Sequence, residues 1–244
     1  MKQSDLRPIQ LYPLGDSAIT VQFGDAVSEH TLSLVRNYTA HLEQQPFAGL
    51  IEFVPAYTTV TLYYDPWVVS EKGKYNPYER VVAIIEQALP RTGTSKEKQP
   101  PKILEVPVCY GGEFGPDLAF VASHTRLSEK KVIALHSSVE YLVYMIGFVP
   151  GFPYLGGMKE EIAVPRKETP GPCIPGGSVG IAGVQTGIYP METPGGWQLI
   201  GRTPLSLFNP YRTPPGLLKA GDLVRFRPIT KAEFHKQKEL AYES

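Results

Sequence analysis

Between residues 147 and 204 the chain is steered into a new direction every few residues. The stretch GFVPGFPYLGGMKEEIAVPRKETPGPCIPGGSVGIAGVQTGIYPMETPGGWQLIGRTP holds more than half of the chain's 23 glycines. Pro-Gly or Gly-Pro steps recur at Pro150-Gly151, Pro170-Gly171-Pro172, Pro175-Gly176 and Pro194-Gly195. Proline fixes φ and removes a backbone donor, while glycine opens positive φ. A sequence alternating the two is confined to short strands joined by tight, rigid turns, and that pattern predicts a closed or nearly closed β-barrel. Phe148, Pro150, Phe152, Tyr154, Tyr189 and Trp197 sit among the turns, with Arg166 and Arg202. Rigid turns, aromatic faces and fixed cations are what a preformed binding groove needs. The plainer alternative is a barrel whose corners simply require these residues.

Texture changes along the 244 residues. In the first part, residues 18–23 alternate apolar and polar as a half-buried strand does, and Leu32, Val35, Tyr38 and Leu42 share one helical face behind Ser28 as N-cap. Strands are predicted at 50–54 and 57–64. Asn76-Pro77-Tyr78-Glu79 opens a second helix, whose apolar stripe is Val81, Ile84, Ile85 and Leu89. That order, with a further strand at 103–108, would complete a ferredoxin-like βαββαβ sandwich; the last strand could equally begin the next domain. Residues 91–101 (RTGTSKEKQPP) read as a linker. Beyond it, two short helices at 117–123 and 128–137 lead into strands at 139–146, 162–164, 179–182, 185–189, 198–200 and 223–227. Thr230 and Glu233 form a capping box for a terminal helix. The predicted organisation is α+β: an N-terminal α+β domain at 1–97 and a barrel domain at 103–244.

Composition excludes several classes of function. Lys+Arg and Asp+Glu balance at 24 each, so no basic excess exists to displace counterions from nucleic acid. No apolar run approaches membrane-spanning length, and the start MKQSDLRP has no apolar signal region. Cys109 and Cys173 make neither a disulfide framework nor a zinc spacing, and the five histidines share no ligand pattern, so no metal is expected. A cytoplasmic protein with reduced thiols fits these facts.

Motifs for autonomous chemistry fail on context. Gly176-Gly177-Ser178-Val179-Gly180 matches a nucleophile elbow, but the serine precedes a strand rather than a helix, and no suitable acid and histidine follow it. Gly151-Phe152-Pro153-Tyr154-Leu155-Gly156 lacks the Lys-Ser/Thr of a phosphate loop. In the loop from Tyr110 to Asp117, the carboxylates of Glu113 and Asp117 oppose a phosphate, and a tight turn capping the following helix is the simpler reading. Arg166 and Arg202 are the better candidates. If both point into the groove they can clamp a carboxylate or phosphate; otherwise they are two solvated arginines at a barrel rim. Trp197 either stacks on a ligand or plugs the barrel core.

Five segments carry a family resemblance: VPVCYGGEFGPDL at 106–118, YMIGFVPGFPYLGG at 144–157, IAGVQTGIYP at 181–190, PGGWQLIGRTP at 194–204 and AGD at 220–222. With a looser match at LGDSA (14–18), the chain resembles the family of the 5-oxoprolinase B subunit, also described as allophanate hydrolase subunit 1. The resemblance implies an N-terminal α+β domain followed by a cyclophilin-like barrel. It implies work with the C and A subunits of 5-oxoprolinase, opening 5-oxoproline to glutamate at the expense of ATP. It also implies, for one branch, inhibition of a sporulation sensor histidine kinase. One departure stands out: the family commonly has an arginine after the Thr-Pro that follows its Pro-Arg, and this chain has Gly171.

Two functions are therefore expected. The first is a non-autonomous hydrolase subunit in which Arg166 and Arg202 serve an anionic substrate or phosphorylated intermediate. The second is a binding module whose exposed aromatic-proline patch, 148–154, docks on a helical bundle.

Overall fold

The computed structural model describes residues 9–92 and 102–242. These fall into two compact units, one within residues 1–100 and the other within 101–244. The first unit contains β1 (Gln10–Pro13), β2 (Ala18–Gln22), α1 (Glu29–Gln44), β3 (Leu50–Pro55), β4 (Thr59–Tyr64), the short α2 (Pro66–Val69) and α3 (Pro77–Thr92). The strands make an antiparallel sheet in the order β1-β2-β4-β3. Register sets Ile19 opposite Leu62 and Val21 opposite Val60. All four side chains therefore share one face, where Val35, Tyr38 and Leu42 of α1 and Val81 and Ile85 of α3 join them in a single core. The predicted caps form: Ser28 Oγ accepts from Thr31 N–H at 3.1 Å, and Asn76 Oδ1 accepts from Tyr78 N–H at 3.0 Å.

The strand expected at 103–108 to complete this sheet lies instead in the second unit. The sheet edge beside β2 is held by β1, which precedes β2 through a turn where Gly15 takes φ +64° and Leu14 N–H donates to Ala18 carbonyl. The chain order is thus ββαββαα. Two residues of the expected linker, 91 and 92, belong to α3, and the rest of it, 93–101, lies outside the described residues.

In the second unit, β5 (Ile103–Tyr110) is followed by α4 (Leu118–Thr125), α5 (Glu129–His136), β6 (Glu140–Ile146) and β7 (Pro153–Gly156). Then come β8 (Gly171–Ile174), β9 (Ser178–Ala182), β10 (Gln185–Ile188), β11 (Thr193–Gly195), β12 (Gln198–Arg202), β13 (Leu223–Pro228) and α6 (Lys231–Tyr242). Seven strands close a barrel in the order β10-β7-β6-β13-β5-β12-β9, and the β9–β10 hairpin shuts it. Only β13 and β5 run parallel. The architecture is mixed α/β with a closed seven-stranded barrel.

Alternation along each strand decides what the barrel encloses. Val108, Tyr141, Leu155, Val179, Ile181, Ile200 and Phe226 belong to one buried cluster, joined by Leu118 and Val121 of α4 and Val132 of α5. The opposite, outward residues of β9 and β10 include Gly180 and Gly187, which are register partners. β8 and β11 form a separate two-stranded ribbon. The strand expected at 162–164 does not form. Glu160–Ile162 is one 3-10 turn, and Val164 makes a single bridge to Gly183, after which Pro165 has no donor to continue a ladder. The capping box of α6 is reciprocal: Thr230 N–H donates to Glu233 Oε2 at 2.7 Å and Glu233 N–H to Thr230 Oγ1 at 3.2 Å.

Inside the barrel lies a polar chain that no local sequence pattern announces. Thr186 Oγ1 donates to Gly180 carbonyl at 2.9 Å. It must therefore accept from His136 Nε2–H, 2.9 Å away. That fixes His136 Nδ1 as acceptor for the Tyr110 hydroxyl at 2.8 Å. Every member is paired, as a buried network requires. Burial pushes His136 down to about 3 and pushes the Tyr110 phenol well up.

Candidate functional site

The Pro-Gly turns do the placing. Gly147 N–H donates to Phe152 carbonyl and Phe152 N–H to Val149 carbonyl, both at 3.1 Å. In this tight loop Phe148 takes φ +69° and Gly151 +84°. A Cβ at 151 would stand 2.8 Å from Phe208 Cβ, so glycine is demanded there by both space and conformation. The loop leaves Phe148 outside and turns Phe152 in: they are 60% and 1% exposed. The expected exposed patch at 148–154 therefore reduces to Phe148 and Pro150.

Phe152 is the hub of the aromatic residues singled out from sequence. Its ring centre lies 5.6 Å from Phe148, 4.9 Å from Tyr154, 5.2 Å from Tyr189 and 5.4 Å from Trp197, at steep interplanar angles throughout. Edge-to-face contacts of this kind add about 0.5–1.5 kcal/mol each beyond burial. Glycines make room for them. A Cβ at Gly187 would lie 2.9 Å from Phe152 Cζ and 3.0 Å from Trp197 Cζ3; one at Gly180, 2.9 Å from Trp197 Cβ; one at Gly195, 2.3 Å from the Tyr189 hydroxyl. Since Gly180 and Gly187 face away from the barrel core, the cluster sits on the barrel's outer wall. Trp197 is buried there with Ile174, Ala182 and Leu199. It does not plug the barrel.

Arg166 is exposed and holds its guanidinium carbon 6.0 Å from the Trp197 ring centre. Burial raises the Tyr154 and Tyr189 phenols, and Arg166 acts against that rise in both. Arg202 stands at the other end of β12, its guanidinium carbon 5.9 Å from the Phe114 ring. A strand advances about 3.3 Å per residue, so the two cations serve opposite ends of one strand. The two cations stand over different rings, Trp197 and Phe114, rather than over one.

Lys167, which no motif marks in the sequence, links this region to the 110–117 loop. Its Nζ meets Asp117 Oδ2 at 2.6 Å, and its N–H donates to Gly196 carbonyl at 2.7 Å. The same Asp117 oxygen accepts from Leu199 N–H at 2.7 Å. Asp117 precedes α4 but makes no side-chain cap bond, because its carboxylate is committed to β12. The only signal for Lys167 was its place beside Arg166.

Gly171 begins β8 opposite Gly195. A Cβ there would meet Ile174 Cδ1 at 3.0 Å, the movable end of a side chain. Ser178 is followed directly by the strand it starts, so no nucleophile elbow exists. Both cysteines are free: burial foremost raises the Cys109 thiol, and a hydrogen bond with Glu192 foremost raises that of Cys173. Among the described residues no group of three or more His, Cys, Asp and Glu side chains is placed to hold a metal ion.

A closed barrel with an aromatic cluster on its outer wall, in a chain that also carries a small four-stranded α/β unit, now meets its relatives. Residues 9–218 match the family described as carboxyltransferase domain, subdomain C and D, and the chain belongs to that family. Over 233 residues it is 50% identical to the 5-oxoprolinase B subunit of Bacillus subtilis (strain 168), covering 94% of this chain and 97% of that protein. It is 43% identical over 219 residues to the 5-oxoprolinase B subunit of Escherichia coli O157:H7, covering 89% and 94%. The crystal structure of TTHA0988 superposes with a TM-score of 0.74 at 37% identity, covering 87% of this chain and 40% of that longer one.

Proposed function

We propose that this chain is the B subunit of an ATP-dependent 5-oxoprolinase, hydrolysing 5-oxoproline to glutamate together with the A and C subunits. The observation that carries the reading is the 50% identity to a protein of that name over nearly the full length of both. The lactam is a stable amide. Coupling to ATP suits phosphorylation of its carbonyl oxygen before water attacks, and ATP is assigned here to the complex as a whole. Within this chain the arginines are assigned to anionic species and the aromatic cluster to substrate or subunit contact. The same reading takes the barrel as cyclophilin-like and the first unit as ferredoxin-like, supported by the sheet order β1-β2-β4-β3. A cytoplasmic location goes with it; among the described residues no helix is long and apolar enough to cross a membrane.

The test is co-expression with the A and C subunits, followed by ATP-dependent glutamate release from 5-oxoproline. Activity is expected from the three together and from none alone. Turnover by the purified chain, or none from the full set, sinks the proposal.

A second role, docking on a sensor histidine kinase, is favoured by one observation: Phe148 and Pro150 stand exposed on a tight loop. Phe148→Ala is expected to weaken kinase inhibition while the fold persists. Inhibition that survives this change removes the loop from the interface.

A further inference from the structure

The serine of the failed elbow motif has another place in the structure. Ser178 is 0% exposed, and its Oγ has no hydrogen-bond partner. Its register partner across β12 is Arg202, whose Nε is also buried and unpartnered. On its other side Arg202 is opposite Cys109. Cys109, Arg202 and Ser178 thus form a row across three strands on the outer wall of the barrel, since Val108, Tyr110 and Val179 take the inward places. Side chains directly opposite in an antiparallel pair have Cβ atoms about 5 Å apart. Two orphaned donors, Nε–H and O–H, stand side by side.

The charge of Arg202 is felt by Glu113, but no carboxylate bonds it among the described residues. Arg202 lies over the Phe114 ring. Glu113, the acidic neighbour, is taken by Lys231 Nζ. His235 of α6 lies against the same Phe114 ring, 6.1 Å between centres. Gly177 brings backbone close to the arginine: at φ +84°, its Cβ would meet Arg202 Cγ at 3.3 Å and Thr203 carbonyl oxygen at 2.4 Å. Buried polar groups in folded proteins are almost always paired, and leaving one unmet loses more than a made bond gains. A planar cation and a hydroxyl lacking acceptors match an anion with more than one oxygen.

We infer that Ser178 and Arg202 form a binding site for a small oxyanion, a carboxylate or a phosphoryl group, at the end of β12 remote from the aromatic cluster. The inference deepens the proposed function and rests on it only for the ligand's source: 5-oxoproline carries a carboxylate and a phosphorylated intermediate carries phosphate. Binding itself requires neither ATP nor the other subunits.

The experiment titrates the purified full chain with inorganic phosphate and, separately, with 5-oxoproline, by calorimetry and by amide shifts at residues 178 and 202. At least one anion is expected to bind and to move those amides. Arg202→Lys keeps the charge and loses the planar fork; it and Ser178→Ala are each expected to weaken binding about tenfold or more. Lys236→Gln, a surface charge on α6, is expected to leave affinity unchanged. Phosphate alone binding assigns the site to a phosphoryl group, and 5-oxoproline alone to the substrate carboxylate. In the ligand-free chain, Ser178→Ala is expected to melt at the same or a higher temperature, because it removes an unmet hydroxyl. A lower melting temperature means that the serine holds only a buried structural water, and overturns the inference. So does equal affinity in wild type and variants, or no binding of either anion at millimolar concentration. Anion binding that needs Arg202, in a chain whose complex never turns over 5-oxoproline, keeps this inference and rejects the proposed function. Turnover unimpaired by Arg202→Lys and Ser178→Ala, with no anion binding, does the reverse.

Discussion

Acid should weaken this barrel through one side chain, His136. The imidazole is fully enclosed, with Tyr110 and Thr186 on its two nitrogens and Phe226 stacked at 4.4 Å. Its carbonyl accepts from Tyr141 Oη at 2.7 Å. Neither neighbour of the ring is a carboxylate, so nothing compensates a proton there, and burial lowers the folded value from 6.5 to about 3. The unfolded chain takes up that proton as pH falls through about 6.5, while the folded chain refuses it. The stability contributed by the neutral histidine is therefore complete above about pH 6.5 and drains away between there and about pH 3. Each unit in that window removes about 1.4 kcal/mol. At pH 5 the loss is about 2 kcal/mol, a sizeable fraction of the 5–15 kcal/mol typical of a domain.

His136→Gln isolates the effect, since an amide can still donate toward Thr186 and accept from Tyr110 without titrating. The chain has two tryptophans. Trp67→Phe leaves Trp197, on the barrel wall, as the fluorescent reporter. Urea unfolding followed at about pH 7.5, 6 and 5 should show wild type losing about 2 kcal/mol more than the Gln variant over that range. Other groups titrate in both proteins and cancel in the difference. Equal losses, within about 0.5 kcal/mol, would refute the claim that His136 is held neutral by burial; the experiment is insensitive to any loss of stability common to all pH values.

Gly187→Ala should destabilise the barrel by about 1–3 kcal/mol and shift Trp197 emission, because its Cβ has no space between Phe152, Pro153 carbonyl and Trp197; an unchanged melting temperature would mean the rings can yield. Phe152→Ala should cost about 3–5 kcal/mol as a core truncation, whereas Phe148→Ala, on the exposed loop tip, should change stability by less than about 0.5 kcal/mol. Both are read from urea midpoints. Asp117→Ala leaves Leu199 N–H unmet and Lys167 unpaired, so a loss of about 1–3 kcal/mol is expected. Asp117→Asn keeps an acceptor for the amide and should lose less, and equal losses from the two would show that charge rather than the hydrogen bond matters.

The helices and the corners of the barrel were legible because their signals are local. Ser28, Asn76 and the Thr230–Glu233 box announce helices through residues three apart, and the Gly-Pro density announces corners. What could not be read is pairing between distant segments. β1 carries Pro13 and too few apolar positions to show alternation, so nothing in it marks it as the strand that completes the first sheet. β8 and β11 are four and three residues long and contain Pro172 and Pro194; only their ladder to each other makes them strands. His136 is one polar letter at the end of an amphipathic helix, and its partners lie 26 and 50 residues away.

The two arginines show what register adds to composition. In the sequence, Arg166 and Arg202 both stand among rigid aromatic turns, where cations suit an anion, and nothing there divides the turns into separate surfaces. The fold instead splits them along β12. At its start, Leu199 faces Gly180, whose missing side chain lets Trp197 settle on the wall beneath Arg166. An irregularity between Leu199 and Gly201 then shifts the alternation by one residue. That shift keeps Ile200 in the barrel core and turns Arg202 outward, beside Ser178. Without it, Arg202 would point into the apolar interior, where an unpaired guanidinium has no tolerable place. The bulge thus creates the second anion candidate and separates it from the first. A variant that restored regular pairing here should lose the Arg202–Ser178 neighbourhood while leaving Arg166 on Trp197. Phosphate titration of such a variant would separate the two ends by experiment, as the register separates them in space.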